Sequence, residues 1–188
     1  MARLVCVRHG ETVWSRDGRH TGRTDIPLTD RGREDARALA APLAAYRFAR
    51  VLASPLQRAR ETCALAGLAV QEEPCPALME WDYGDYEGLT SAQIEERRPA
   101  WLLWRDGCPG GEMPGDVAAR ADSVITELAA LDGDVALFAH GHLLRVLAAR
   151  WVEQPASFGA RLTLDTAAVS LLDADHGIRA LRRWNSRR

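Results

Sequence analysis

The 188 residues include no lysine; all 24 basic positions are arginine. That absence removes every mechanism that needs a side-chain amine: the Walker-type P-loop, Schiff-base catalysis and kinase-type phosphoryl transfer. Cysteine is scarce. Cys6, Cys63, Cys75 and Cys108 show no C-x-x-C spacing. They read as small buried residues of a reducing, cytoplasmic compartment, with neither a disulfide framework nor a zinc site. No uncharged apolar run approaches the ~20 residues of a membrane helix, so no membrane partner is expected. Net charge is only −2, from 24 basic and 26 acidic residues, which removes bulk electrostatics as a way to hold nucleic acid. Residues 1–8 lead straight into an apolar stretch, so no signal peptide is expected.

What is present is ordinary globular chemistry, with 27% charged and 47% apolar residues, and the length fits one domain over residues 1–188. Residues 4–7 (Leu-Val-Cys-Val) read as a strand buried on both faces. Residues 11–28 read as a loop. Thr29 caps a helix in which Ala36, Leu39, Ala40 and Leu43 share one face. A second strand at 51–53 leads to a helix over 58–67 that stops at Gly67. Residues 72–88 are rich in Pro, Gly and aromatics, and 72–113 read as an excursion that helps form a mouth, with short helices at 91–97 and 99–104. The helix at 114–131 carries Val117, Ala121, Val124, Ile125 and Leu128 in register. A strand at 134–139 runs directly into a helix over 141–151. Strands at 161–165, 168–172 and 178–184, with a turn at 173–177, complete the chain. Strands alternating with helices predict an α/β fold: a three-layer α/β/α sandwich around a mainly parallel central sheet.

In such sheets ligands sit beyond the carboxyl ends of the strands. Two strands end alike, in Arg8-His9-Gly10 and in His140-Gly141-His142. Each histidine follows an apolar run and precedes a glycine that lets the backbone turn or approach a ligand. The strand at 51–53 leads through Ser54-Pro55 to Arg58 in the first turn of a helix, where charge, a bidentate fork and free N–H groups suit a phosphate. Arg8 adds a second fork. A neutral imidazole there can attack phosphorus in line, braced by fixed positive donors. The leaving alkoxide then needs an acid, and Glu80 and Asp82 lie in a segment rich in Trp and Tyr that favours a protonated carboxyl.

Together these segments resemble the histidine phosphatase superfamily, in its phosphoglycerate-mutase-like branch. The resemblance runs through Arg8-His9-Gly10-Glu11-Thr12, Gly18-Arg19-His20-Thr21-Gly22, Ser54 to Thr62, Glu80 with Gly84, Glu87 and Gly88, and Ala139-His140-Gly141-His142. It implies His9 as phosphorylated nucleophile, Glu80 as general acid and then base, and His140 as a catalytic histidine that binds the phosphoryl group. It implies Arg8, Arg58, Ser15 and Gly141 at the phosphoryl group, and Thr21, Gly22, Trp81 and Tyr83 at the rest of the substrate, with no cofactor and no metal. Ser15 stands where the family often has Asn, and its hydroxyl reaches less far. The closest likeness is to small acid phosphatases also named as a second phosphoglycerate mutase, and to the sedoheptulose-bisphosphatase type.

A mutase must hold a second phosphate at a cationic mouth. Here Trp81, not Arg, follows Glu80, and no Lys is available, so hydrolysis of small phosphate monoesters is the expectation. A phosphoglycerate mutase, a dedicated sugar-bisphosphatase and a binding module without turnover stand as alternatives, and a homodimer is left open. Plainer roles compete at several positions. Glu80 could be a surface carboxylate and Asp82 the acid. His140 and His142 could be a metal pair, although strand alternation points their rings apart. His20 reads as a mouth or solvated residue, His142 as a helix-start residue, His176 as solvated, Trp101, Trp104 and Trp151 as packing, and residues 182–188 as a solvated basic tail.

Overall fold

The computed structural model describes residues 2–187; Met1 and Arg188, the outer ends of the opening stretch and the basic tail, lie outside the described residues. The apolar run at 4–7 lies within strand β1 (Arg3–Arg8). The other strands are β2 (Phe48–Ala53), β3 (Glu72–Pro74), β4 (Asp134–Ala139), β5 (Val169–Asp175) and β6 (Ile178–Ser186). They form one sheet in the order β3-β2-β4-β1-β5-β6. The three ladders from β3 to β1 are parallel, and β5 and β6 add an antiparallel edge.

The described residues include eight α-helices: α1 (Val13–Arg16), α2 (Asp30–Ala38), α3 (Ala40–Leu43), α4 (Gln57–Leu65), α5 (Ser91–Arg97), α6 (Leu103–Asp106), α7 (Pro114–Ala129) and α8 (Gly141–Trp151). The alternation along β1 assigns the layers. Leu4 and Cys6 join one core with Val117, Val124, Leu128, Leu143 and Leu147, from α7 and α8. Val5 and Val7 join the opposite core with Leu39, Leu43 and Cys63. A strand apolar throughout its middle, residues 4–7, is what a sheet packed on both faces requires. The predicted stripe of α7 is fully or almost fully buried, and about 1.5–3 kcal/mol per large apolar side chain makes that seam, rather than helix propensity, what fixes the helix.

Four expectations are corrected. Ala40 is exposed while Ala36, Leu39 and Leu43 are buried, because the helix is broken at Leu39 into α2 and α3. The helix expected at 99–104 forms instead as α6. Arg98 is held extended (φ −140°, ψ 89°) ahead of Pro99, as proline demands of its predecessor, and the helix starts only after that turn. No strand forms at 161–165. Its carbonyls accept from side chains instead, Thr163 from the Trp184 indole at 2.6 Å and Leu164 from Arg8. The excursion, in turn, hides strand β3, three residues ending in Pro74 and pairing only with β2, which fits the rule that strand proline sits at a sheet edge.

Candidate active site

Parallel register brings the site together. Arg8, the last residue of β1, pairs with Ala139, the last of β4, and Ala53, the last of β2, pairs with Phe138. Three strands therefore end side by side, and the residues that follow them, His9, His140 and Ser54, become neighbours. The His9 amide donates to the Ala139 carbonyl at 3.0 Å, and the His9 and His140 ring centroids lie 5.2 Å apart.

Hydrogen bonds fix the protons on these rings. His9 Nδ1 lies 2.7 Å from the Gly10 carbonyl oxygen. A carbonyl only accepts, so the proton is assigned to Nδ1 and the lone pair to Nε2. The Gly10 amide donates to Thr62 Oγ1 at 3.0 Å, and the Thr62 hydroxyl donates to the Arg58 carbonyl at 2.7 Å. This position requires glycine, because an added Cβ would lie 2.4 Å from the Gly32 carbonyl oxygen. His140 has the opposite tautomer. Arg58 Nε donates to its Nδ1 at 3.1 Å, leaving the proton on Nε2, 2.7 Å from Ser54 Oγ. Burial, then the charges of Arg58 and Arg8, holds His9 well below the usual histidine range. Burial, then Arg58 and the neighbouring His9, does the same to His140.

The two guanidinium groups differ. Arg58 is fully buried and donates to the carbonyls of Thr21, Gly22 and Thr24 as well as to His140. It braces the 21–24 loop and the second histidine. Arg8 donates to the Leu164 carbonyl, and its Nε is buried without a partner. An orphaned buried donor is costly unless a ligand completes it. Gly141, at the first position of α8, lets Arg8 lie against the backbone; a Cβ there would come within 3.3 Å of the Arg8 Cζ.

Glu80 is 5% exposed. Its Oε1 accepts from the Trp81 and Leu143 amides at 2.9 and 2.8 Å, and its Oε2 accepts from the His142 amide at 2.9 Å. The carboxyl therefore sits on the first turn of α8 among three backbone donors, not among rings alone as its sequence context suggested. Oε2 has a single protein donor. Asp82 is drawn away to Arg23 and to the Gly84 amide.

These groups meet at a cavity of about 190 Å³. His9, Arg8, Ser15, Glu80, Gly141, Thr21 and Tyr83 line it, while His140 and Arg58 stand behind His9. Ser15 spends its hydroxyl proton on the Thr12 carbonyl at 3.0 Å, as part of the cap of α1. Gly22 and Trp81 lie outside the lining. The Gly22 amide is held by Glu87, and the fully buried Trp81 donates its indole N–H to the Glu112 carbonyl and packs edge-on against Trp104. The rings of His140 and His142 do part. His140 meets Arg58 and Ser54, whereas His142 lines the cavity with its Nδ1 2.6 Å from the Tyr83 hydroxyl.

Sequence reasoning missed Arg145 and the positioning groups Ser54 and Thr62, and it left Arg19 without a role. Arg145 follows Gly141 by four residues on α8, a spacing that puts both on one helix face, so the signal was there. His20, whose role stayed undecided, is 9% exposed and lines the cavity. Its Nδ1 lies 2.9 Å from the Leu89 carbonyl, leaving Nε2 as an acceptor.

Comparisons with known proteins identify the family. An acid phosphatase of Mycobacterium tuberculosis is 44% identical over 185 residues, covering 95% of this chain and 90% of the relative. Sedoheptulose 1,7-bisphosphatase of Saccharomyces cerevisiae is 33% identical over 183 residues, covering 79% and 67%. The solved structure of an open reading frame product from Mycobacterium tuberculosis superposes with a TM-score of 0.93 at 42% identity, over 98% of this chain and 97% of that one. The sequence profile of the histidine phosphatase superfamily (branch 1) matches residues 4–187, and the chain belongs to that family.

Proposed function

We propose that the protein is a phosphomonoesterase that works through a phosphohistidine on His9. One observation carries this reading: His9 presents an unprotonated Nε2 next to Arg8, whose buried Nε has no protein partner. The ester's phosphoryl oxygens complete Arg8, and the Gly141 end of α8 adds its positive end. Nε2 attacks phosphorus, and the bond to the leaving alkoxide breaks. Developing charge on the equatorial oxygens is stabilised by fixed donors that need no reorganisation. For His140 to touch the phosphoryl group directly, a phosphoryl oxygen must replace Ser54 as the acceptor of its Nε2 proton; without that exchange it acts by positioning.

Glu80 gives its proton, from Oε2, to the leaving oxygen. In the second half, Glu80 takes a proton from water as water attacks the phosphohistidine, releasing inorganic phosphate and restoring His9. The Tyr83 hydroxyl stays protonated throughout, since burial raises it well above its usual range. No metal or cofactor enters this scheme. We read residues 1–188 as one domain in which 72–113 shapes the mouth. The cavity volume amounts to about six waters at ~30 Å³ each, which supports a small phosphorylated metabolite as substrate. Three cysteines are buried and their thiols pushed up to about 12 by burial, which supports a role in packing rather than chemistry.

The test is turnover of p-nitrophenyl phosphate in the presence of a chelator. His9→Ala is expected to lose about 10⁴-fold or more; full activity in that variant contradicts the proposal.

A further inference from the structure

A second cavity lies between α2–α3 and the β5–β6 edge of the sheet, with a volume of about 560 Å³ against about 190 Å³ for the catalytic one. Its walls are apolar. Leu39, Ala167 and Val169 come from the core on the face of the sheet away from α7 and α8, and Pro42 and Tyr46 join them. Its charges do not balance. Arg31, Arg183 and Arg187 line it with one carboxylate, Asp35. Asp35 Oδ2 stands 3.7 Å from Arg31 Nε and 4.0 Å from Arg187 Nη2, beyond hydrogen-bond reach, and this oxygen is buried without a donor. Among the described residues Arg183 makes no ion pair. Small-molecule sites have this size and make-up, roughly 300–1,000 Å³ with apolar walls and a few placed polar groups. Each feature asks for one part of a ligand. Three guanidinium groups against one carboxylate favour an anion, the walls an aryl or acyl body, and the orphaned oxygen an N–H or O–H donor.

One wall of this cavity also supports the nucleophile. The Ala167 amide donates to the Arg8 and His9 carbonyls, at 3.1 Å each. Ala167 does so at φ +54°, in the left-handed region that a residue with a Cβ enters at a cost. A ligand packed on the wall as it stands favours this arrangement over a relaxed one. We propose that the cavity is a second ligand site, for a small acid with an aryl or acyl body and a hydroxyl or amide donor, and that filling it steadies His9 through Ala167. The site itself is independent of the phosphatase reading; its effect on turnover rests on that reading.

The probe is hydroxynaphthoate, followed by its own fluorescence. Its controls are naphthoate without the donor, naphthol without the charge and naphthylmethylamine with the opposite charge. Hydroxynaphthoate should bind about tenfold or more tighter than naphthol or the amine, the weight of one charge-assisted hydrogen bond, with naphthoate between. Arg183→Glu should weaken it by about tenfold, and Ala41→Trp, at an exposed position on the wall, should abolish binding by filling the cavity. Equal binding of all four compounds, or binding that neither variant alters, overturns the site. So does displacement by inorganic phosphate, which would put the probe in the catalytic cavity. So does a dimer that Ala41→Trp splits, which would make this face an interface between copies of the chain. Saturating hydroxynaphthoate should raise kcat for p-nitrophenyl phosphate by about twofold or more. Glycine takes the left-handed region freely, so Ala167→Gly should start from the higher rate and respond less, while still binding the probe. A rate that stays level or falls in the unmodified protein, or an equal rise in Ala167→Gly, overturns the link to His9. Should the protein turn over no ester, the phosphatase reading falls alone. The binding series then decides the site, and the link is read as tighter binding of inorganic phosphate when hydroxynaphthoate is present, with unchanged phosphate binding refuting it.

Discussion

The floor of the cavity and its mouth are assembled by different means. The floor comes from residues that follow β1, β2 and β4, where parallel register dictates who stands next to whom: His9 against His140, and Ser54 against the end of β4 and His140. Its side chains are buried and cross-linked, with Arg58 alone tying His140 to the 21–24 loop. The mouth draws on distant segments: His20 from a loop, Tyr83 from the excursion and Arg145 from α8. These are joined by ring contacts such as His20 with Tyr83 at 4.8 Å and His20 stacked on His142 at 6.1 Å. The contrast teaches that the sheet sets the groups around His9, whereas the mouth depends on side chains that no single segment supplies.

That division can be broken experimentally. Glu80 stands where floor meets mouth, and Glu80→Gln should have the largest effect among the groups around the nucleophile, about 10²–10⁴-fold in kcat. The loss should be greater for an alkyl phosphate than for p-nitrophenyl phosphate, whose leaving group needs less help from an acid. Equal losses on both would place Glu80 outside proton transfer. Next comes Arg8→Ala, which removes an orphaned donor from the floor. It should cost about 10²–10³-fold, by a similar factor for every ester; a loss that varied with the ester would move Arg8 into the mouth.

The smallest effect is on stability. Burial, above all, keeps His9, His140 and His142 well below the usual histidine range in the folded protein. As pH falls below about 6.5, the unfolded chain therefore takes up protons that the folded one refuses. Stability is full above that pH and declines below it, by about 1.4 kcal/mol per pH unit for each histidine until its folded value is reached. Denaturant unfolding at a series of pH values should show that slope, and His142→Asn should remove one histidine's share while leaving the rest. A flat profile between pH ~6.5 and ~5 would mean that the rings are solvated.

Much of the floor was legible because its signals are local. An apolar run, a His and a Gly occur twice, and an arginine opens a helix after a third strand; α/β topology then brings all three ends together. Helix α7 and strand β4 were legible for the same reason, since period and composition agree over their whole length. The mouth was not, because its partners are far apart in sequence. Nothing near Trp81 signals that its ring turns into the core against Trp104 while Tyr83, two residues on, faces the cavity. Nor does anything near residues 161–165 announce that their carbonyls serve Arg8 and Trp184 in place of a ladder.

The central claim is that Nε2 of His9 is the atom that receives the phosphoryl group. Rapid mixing with p-nitrophenyl phosphate, quenching in base to preserve a phosphoramidate, and peptide mass spectrometry test it directly. The account predicts one added phosphoryl group on the peptide containing His9, accumulating during turnover and gone once substrate is spent. A protein that turns over fully while this peptide stays unmodified, with the label on another residue, would contradict it.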